Sequence, residues 1–332
     1  MASEKVRKSG REKCKSVTDI VRAVSEIIAE DTKRYPKEKG AEYFFRGEDR
    51  LYGKDQKSGV LSKGFDSCVD RKKEWYMNER EFYQEALRHN VVSFASDKTM
   101  VERVARMQHY QLPTRFADIT SNAFVATLFA CTEGYGSPND KGEVSDGYIR
   151  VIKVLPEKMK SFTSDIITAI AHLPLVKPTD IDVDHAHGVD YLRYEITNER
   201  PGFSMDIECS SKKRTVLEKL LRKELKHVWA FKPILNTDRV FSQEGAFLAF
   251  GCGSKKRPLH PIFSRANATK KNCPSYGIIQ IDEICIDGSA KSLIRDELRH
   301  FGMPEERLYP DLSEVCKVIK TRAVNPKTGV RM

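Results

Sequence analysis

The sequence predicts an α+β fold, a mixed and mostly antiparallel sheet core with flanking helices, on three observations. Strand signals recur at Ala41–Arg46 (AEYFFR), Gly147–Leu155 (GYIRVIKVL), Ala246–Phe250 and Tyr276–Ile281. Amphipathic helices lie among them without the regular alternation of a doubly wound sheet. The 332 residues, 40% hydrophobic and 31% charged, are composed like a globular chain able to bury a sizeable core, in one body or two subdomains.

Taken in order, residues 1–15 read as a basic flexible tail. Ser16 and Asp19 have capping-box spacing, and Val17, Ile20, Val21, Val24, Ile27 and Ile28 follow at helical period. An N-terminal helix over 16–35 should therefore end before Pro36. After the strand at Ala41–Arg46, the polar residues 48–74 read as a loop. Helices are predicted at Glu79–Val92, with Phe82, Ala86 and Leu87 on one face, and at Lys98–Gln108, capped by Asp97. A third spans Asn122–Cys131, with Phe124, Val125, Leu128 and Phe129 mostly buried. Beyond the strand at 147–155 come a helix near Ser164–Ala171, a polar stretch and a helix at Thr215–Val228. Its core face is Val216, Leu217, Leu220, Leu221 and Leu225. The last helices are Ala290–Phe301, stopped by Gly302 and Pro304, and Leu312–Lys320, ahead of a flexible tail at 321–332.

No run of about 18 apolar residues is present, so no transmembrane helix is expected. The charged start MASEKVRKSGREKCKS lacks the apolar centre of a secretory signal, so a cytoplasmic protein without a membrane partner is expected. The eight cysteines form no CxxC pair, which argues for small buried or half-buried thiols. A formal charge of +10 suits nucleic acid, anionic membranes and phosphorylated small molecules alike. The clusters Lys212–Arg214, Lys255–Arg257 and Lys270–Lys271 are equally at home on a solvated surface.

Three segments carry candidate chemistry. Arg46 ends an aromatic strand and precedes Gly47; its guanidinium fork could meet a phosphate while the glycine lets the ligand approach the backbone. Pairing with Asp49 or Asp118 is the alternative. In MQHYQLPTRFADITSNAFVATLFA, from Met107, a helix end and a Pro turn lead into Thr114, Arg115, Asp118, Thr120, Ser121 and Asn122, and then an apolar helix. Polar groups packed between hydrophobic elements must be hydrogen-bonded. The run is thus either a site or a structural knot in which Ser121 or Asn122 caps the helix and Asp118 pairs with Arg115. In DRVFSQEGAFLAF, from Asp238, Gln243 and Glu244 precede a glycine and an apolar strand. A carboxylate there suits a ribose hydroxyl or a cationic sugar carbon, or is simply exposed in a turn.

FFRG at 44–47, QHYQLPTRFADITSNAFVATLFA at 108–130, DRVFSQEGAF at 238–247 and LRHFGMPEERLYPDL at 298–312 resemble the FRG-domain family, over roughly residues 40–320. A mainly helical insertion near 156–230 interrupts the match. The order of these elements is also similar to arginine-class mono-ADP-ribosyltransferases. FFRG looks like their aromatic-Arg-Gly strand end, ITSNAFVATLFA like their serine motif and SQEGAF like their glutamate motif. The full Ser-Thr-Ser is missing, the spacing is extended, and a glutamine adjoins the glutamate, so Gln243 and Glu244 both stay candidates to face the site.

This resemblance implies an ADP-ribosyltransferase-like fold and NAD as a substrate. Arg46, Gln243 and Glu244 would be the catalytic residues. Arg46 would grip the pyrophosphate or adenosine ribose, Thr120 and Ser121 would support the strand edge at the nicotinamide ribose, and Glu244 would stabilise the oxocarbenium-like transition state. Gly47, Thr114, Arg115 and Asp118 would complete the cofactor site, with His109 and Tyr110 stacking on nicotinamide or target, unless that pair merely packs a helix end. The acceptor would be macromolecular, as in toxins and antiviral defence effectors. A non-catalytic module binding a nucleotide or nucleic acid is the competing reading. One further stretch, TDIDVDHAHGVDY at 179–191, could bind a divalent cation through Asp180, Asp182, Asp184, His185, His187 or Asp190. It lacks the glycine and terminal glutamate of a calcium loop; a solvated acidic loop is the alternative, and no metal is assigned. A metal-dependent nuclease would need this loop.

Overall fold

The computed structural model describes residues 12–50, 75, 77–132, 144–176, 190–199, 221–234, 241–253, 258–259 and 261–308. The predicted tail up to residue 11, the loop beyond Arg50, the acidic stretch from Asp180 to His187, residues 215–220 and the helix at Leu312–Lys320 lie outside them, as do residues 321–332.

In chain order the elements are α1 (Val17–Arg34), β1 (Glu42–Glu48), α2 (Glu79–His89), α3 (Val91–Phe94), α4 (Met100–His109), β2 (Phe116–Thr120) and α5 (Ala123–Cys131). They continue with β3 (Gly147–Val154), β4 (Met159–Ser161), α6 (Asp165–His172), α7 (Asp190–Glu199), β5 (Val228–Lys232) and β6 (Gly245–Phe250). The series closes with α8 (Arg265–Ala268), β7 (Ile278–Ile286) and α9 (Lys291–His300). The strands form a seven-stranded sheet in the order β4-β5-β6-β2-β1-β3-β7. Pairing is antiparallel throughout except for the parallel pair β4–β5, so the fold is α+β around a mixed sheet.

The sheet is nearly two sheets. β1 registers with β3 from Glu42↔Val154 to Glu48↔Tyr148, and β2 with β6 from Phe116↔Ala249 to Thr120↔Gly245. Between the halves, β1 and β2 pair at one register point, Phe45↔Thr120. Strand alternation then sorts the core. Phe45, Ile149 and Val151 face α1, α5 and α9. Phe116, Phe231 and Phe247 face α4 and α6. Phe44, Ala117, Ile119, Leu248 and Phe250 bind both halves on the opposite face.

The Ser16–Asp19 capping box starts α1, as its spacing predicts. At the helix's other end Asp31 accepts from Lys153 Nζ (2.6 Å) and Arg265 Nη2 (2.7 Å), fastening α1 to β3 and α8. Other local expectations are corrected. The helix predicted over Glu79–Val92 breaks at Asn90, and Tyr83 is its buried aromatic. Thr99, not Asp97, caps α4, because Asp97 is buried and bonded through both oxygens to Arg106. The strand ending at Arg46 runs on to Glu48, and the one starting at Tyr276 starts at Ile278 and extends to Ile286. Phe116–Thr120, predicted as part of a polar run, and Val228–Lys232, which begins on the last residue of the helix predicted at Thr215–Val228, are strands; both are short, and their order comes from their neighbours in the sheet. Residues 156–230 also supply β4 and the start of β5.

Candidate functional site

Where β1 and β2 part, a cleft of about 160 Å³ opens. β1 contributes Phe45, Arg46 and Gly47, and β2 contributes Asp118, Ile119 and Thr120. The end of α4 supplies Gln108 and His109, with Gln111 just beyond it. Phe129 of α5 and the approach to β6, Gln243 and Gly245, complete the wall.

Arg46 spans the parting. Its Nη1 donates to the Asp118 carbonyl (2.6 Å), and its Nε lies 3.5 Å from Glu48 Oε1. Glu48 is buried and in turn takes both Nε and Nη2 of the fully buried Arg150. The guanidinium is therefore oriented by a backbone carbonyl and an ion-pair chain. Gly47 meets the protein rather than a ligand: a Cβ there would sit 1.9 Å from the Ala126 carbonyl oxygen, so its missing side chain lets α5 pack on β1.

Asp118 is set by a hydrogen-bond chain that runs behind the cleft. The Phe116 amide donates to Thr114 Oγ1 (3.1 Å), Thr114 Oγ1 donates to Gln108 Oε1 (2.7 Å), and Gln108 Nε2 donates to Asp118 Oδ2 (2.7 Å). Oδ1 lies 3.8 Å from His109 Nδ1, beyond hydrogen-bond range, and the Asp118 side chain is 37% exposed. The His109 ring packs against Phe247 at 5.3 Å between centroids. Thr114 thus supports the site from behind.

Across the cleft, Thr120 Oγ1 donates to the Gln243 carbonyl (2.8 Å) and accepts from the Asn122 amide (3.0 Å). Gln243 is 5% exposed, faces the cleft, and donates from Nε2 to the Leu308 carbonyl (2.8 Å). Glu244 turns the other way. Its φ of 45° places it in the left-handed region, and its exposed carboxylate is held by Asn122 Nδ2 at 2.8 Å. Ser121 is exposed beside it, its amide donating to the Glu244 carbonyl (3.3 Å). Asn122 caps α5 through the Phe124 amide.

Of the residues singled out from sequence, Arg46, Gly47, His109, Asp118, Thr120 and Gln243 line one cleft. Glu244, Ser121 and Tyr110 do not: the first two stand at its rim, and Tyr110, 56% exposed, ends α4 on the surface. Arg115 is elsewhere altogether. It is 1% exposed, pairs with Glu79 (Nε–Oε1 2.8 Å) and donates to the Gly251 carbonyl, so it ties α2 to the end of β6. Gln108 and Gln111 line the cleft without having been predicted to, and Gln108 matters most because it holds Asp118. The signal for Gln108 was available: with Val101, Val104 and Ala105 it sits at i, i+3, i+4, i+7 on the buried face of α4, where an amide needs partners.

Among the described residues no group of three His, Cys, Asp or Glu side chains could hold a metal ion, and no helix is long and apolar enough to cross a membrane. The cleft offers one guanidinium, one carboxylate, one imidazole and three amides between the apolar walls of Phe45, Ile119 and Phe129.

No curated protein and no solved structure matches the chain. Residues 41–137, which hold β1, the Asp118 hydrogen-bond chain and α5, match the family model of the FRG domain, and an FRG domain is what this part of the chain is identified as.

Proposed function

We propose that the cleft takes NAD as a substrate, and that the protein is an ADP-ribosyltransferase-like enzyme acting on a macromolecular acceptor or, with water as acceptor, an NAD hydrolase. The observation behind this reading is the convergence of Arg46, the Gln108–Thr120 segment and Gln243 on one cleft at the parting of the sheet. Arg46 lines this cleft, and a guanidinium fork fits a pyrophosphate. Phe45 and Phe129 would flank the nicotinamide ring, and Gln243 would fix a polar edge. Reacting groups held in one place convert a bimolecular step into a unimolecular one. Such an activity in the cytoplasm would serve a toxin or an antiviral defence effector.

The test is nicotinamide release from NAD by the purified protein, with and without cell lysate as a source of acceptors. Release that is lost in Arg46→Ala, with folding intact by circular dichroism, supports the reading; no release and no NAD binding by the wild type ends it.

One observation favours a non-catalytic module binding a nucleotide or nucleic acid: the residue facing the cleft beside Gly245 is a glutamine, and the glutamate lies outside. With the formal charge of +10, this reading expects oligonucleotide binding that weakens steeply with salt.

A further inference from the structure

Resting on the NAD reading, we infer that Asp118, rather than Glu244, is the catalytic carboxylate of this cleft, and that Gln108 is its positioning residue. Asp118 is the acidic side chain among those lining the cleft. Its two oxygens differ: Oδ2 accepts from Gln108 Nε2 at 2.7 Å, whereas Oδ1 takes no hydrogen bond among the described residues and lies 3.8 Å from His109 Nδ1. The rotation of the carboxylate is fixed because Gln108 is itself fixed, through Thr114 and the Phe116 amide, to the start of β2. A buried amide spent on orienting an accessible carboxylate is the arrangement preorganised electrostatics requires. Arg46 stands on the facing strand with Nη1 on the carbonyl of the same aspartate, so phosphate grip and carboxylate are held in one frame.

Glu244 lacks these features. It is exposed at the rim, and its carboxylate is bonded to Asn122 Nδ2. A charge in that position is screened by water, whereas one in a cleft walled by Phe45, Ile119 and Phe129 is screened less.

In the reaction, the C1′–N bond of NAD breaks and its electron pair stays on the nicotinamide nitrogen, so the pyridinium leaves as neutral nicotinamide. The positive charge passes to C1′ and the ring oxygen, where Asp118 Oδ1 opposes it. The oxygen of water or of an acceptor hydroxyl then bonds C1′, and its proton passes to Oδ1 and on to solvent. Nothing is oxidised or reduced.

The experiment compares NAD turnover and NAD affinity for the wild type, Asp118→Asn, Glu244→Gln and Gln108→Leu. Asp118→Asn is nearly isosteric and keeps an acceptor for Gln108; its kcat should fall by roughly 10²–10³ with NAD still bound. Glu244→Gln should stay within about threefold of wild type, and Gln108→Leu should lose about tenfold in kcat with KM unchanged, a split that loss of fold would not produce. Turnover retained by Asp118→Asn, or lost in Glu244→Gln instead, overturns the inference and leaves the NAD reading standing. Should Asp118→Asn not fold, an unchanged kcat in Gln108→Leu overturns it equally. A wild type that neither binds nor turns over NAD overturns both.

Discussion

Arg46 donates from Nη1 to the carbonyl oxygen of Asp118 across 2.6 Å, bridging two strands that otherwise pair at a single register point. A side chain here completes what the backbone ladder leaves open. The cation of the cleft is thereby also part of the sheet.

Replacing Arg46 should therefore act twice. Arg46→Ala removes a charge-assisted hydrogen bond and leaves Glu48, buried at 5% exposure, to Arg150 alone. The expected loss of stability is about 1.5–3 kcal/mol, read from urea denaturation. Under the NAD reading, calorimetry should also show affinity falling at least about tenfold, and Arg46→Lys should restore less of it than of the stability, because an ammonium lacks the planar fork.

Gly47→Ala should destabilise through a steric clash alone. The new Cβ would meet the Ala126 carbonyl at 1.9 Å, a backbone atom that moves only if α5 moves. A loss of about 1–3 kcal/mol is expected in urea denaturation, with a reopened seam between α5 and β1 as its cause.

Arg115→Ala separates structure from site. It removes one partner of a buried ion pair, that of the 3%-exposed Glu79, at an expected cost of about 3–5 kcal/mol. NAD affinity of the fraction that remains folded should match wild type, because Arg115 does not line the cleft.

Lys158 supplies a pH dependence. Burial pushes its ammonium down to about 8 from an ordinary 10.5, although the Trp229 ring, 3.8 Å from Nζ, offsets part of that cost. Between about 8 and 10.5 the unfolded chain holds a proton that the folded one has released, so this group's contribution to stability rises with pH across that window. The destabilisation is full below about 8 and gone above 10.5, and it amounts to roughly 3 kcal/mol at most. Lys158→Met should therefore gain most over wild type at pH 7, and the gain should shrink by pH 10 in urea titrations.

Much of the local architecture was legible. The capping box at Ser16–Asp19, the Asn122 cap on α5 and the strand at Gly147–Val154 follow from short-range spacing, and all three are present. What failed was partner choice. Asp118 and Arg115, three residues apart, suggest each other in sequence, yet their partners are Gln108 and Glu79. Asp97 looks like a cap but is claimed by Arg106, a full helical span away.

The sequence by itself determined the α+β class, the helices with strong apolar period and the three segments that meet at the cleft, because each is written in spacing over a few residues. The tertiary structure alone decided that Gln243 faces the cleft while Glu244 stands at its rim. One step along a turn reverses a side chain's direction, and in this turn Glu244 takes a left-handed φ while the Gln243 and Glu244 carbonyls are held by Thr120 Oγ1 and the Ser121 amide at the end of β2. The parting of β1 from β2, too, belongs to no segment. Each strand is registered along its length with its other neighbour, β3 or β6, and the two meet each other only at Phe45↔Thr120, so long-range packing decides it.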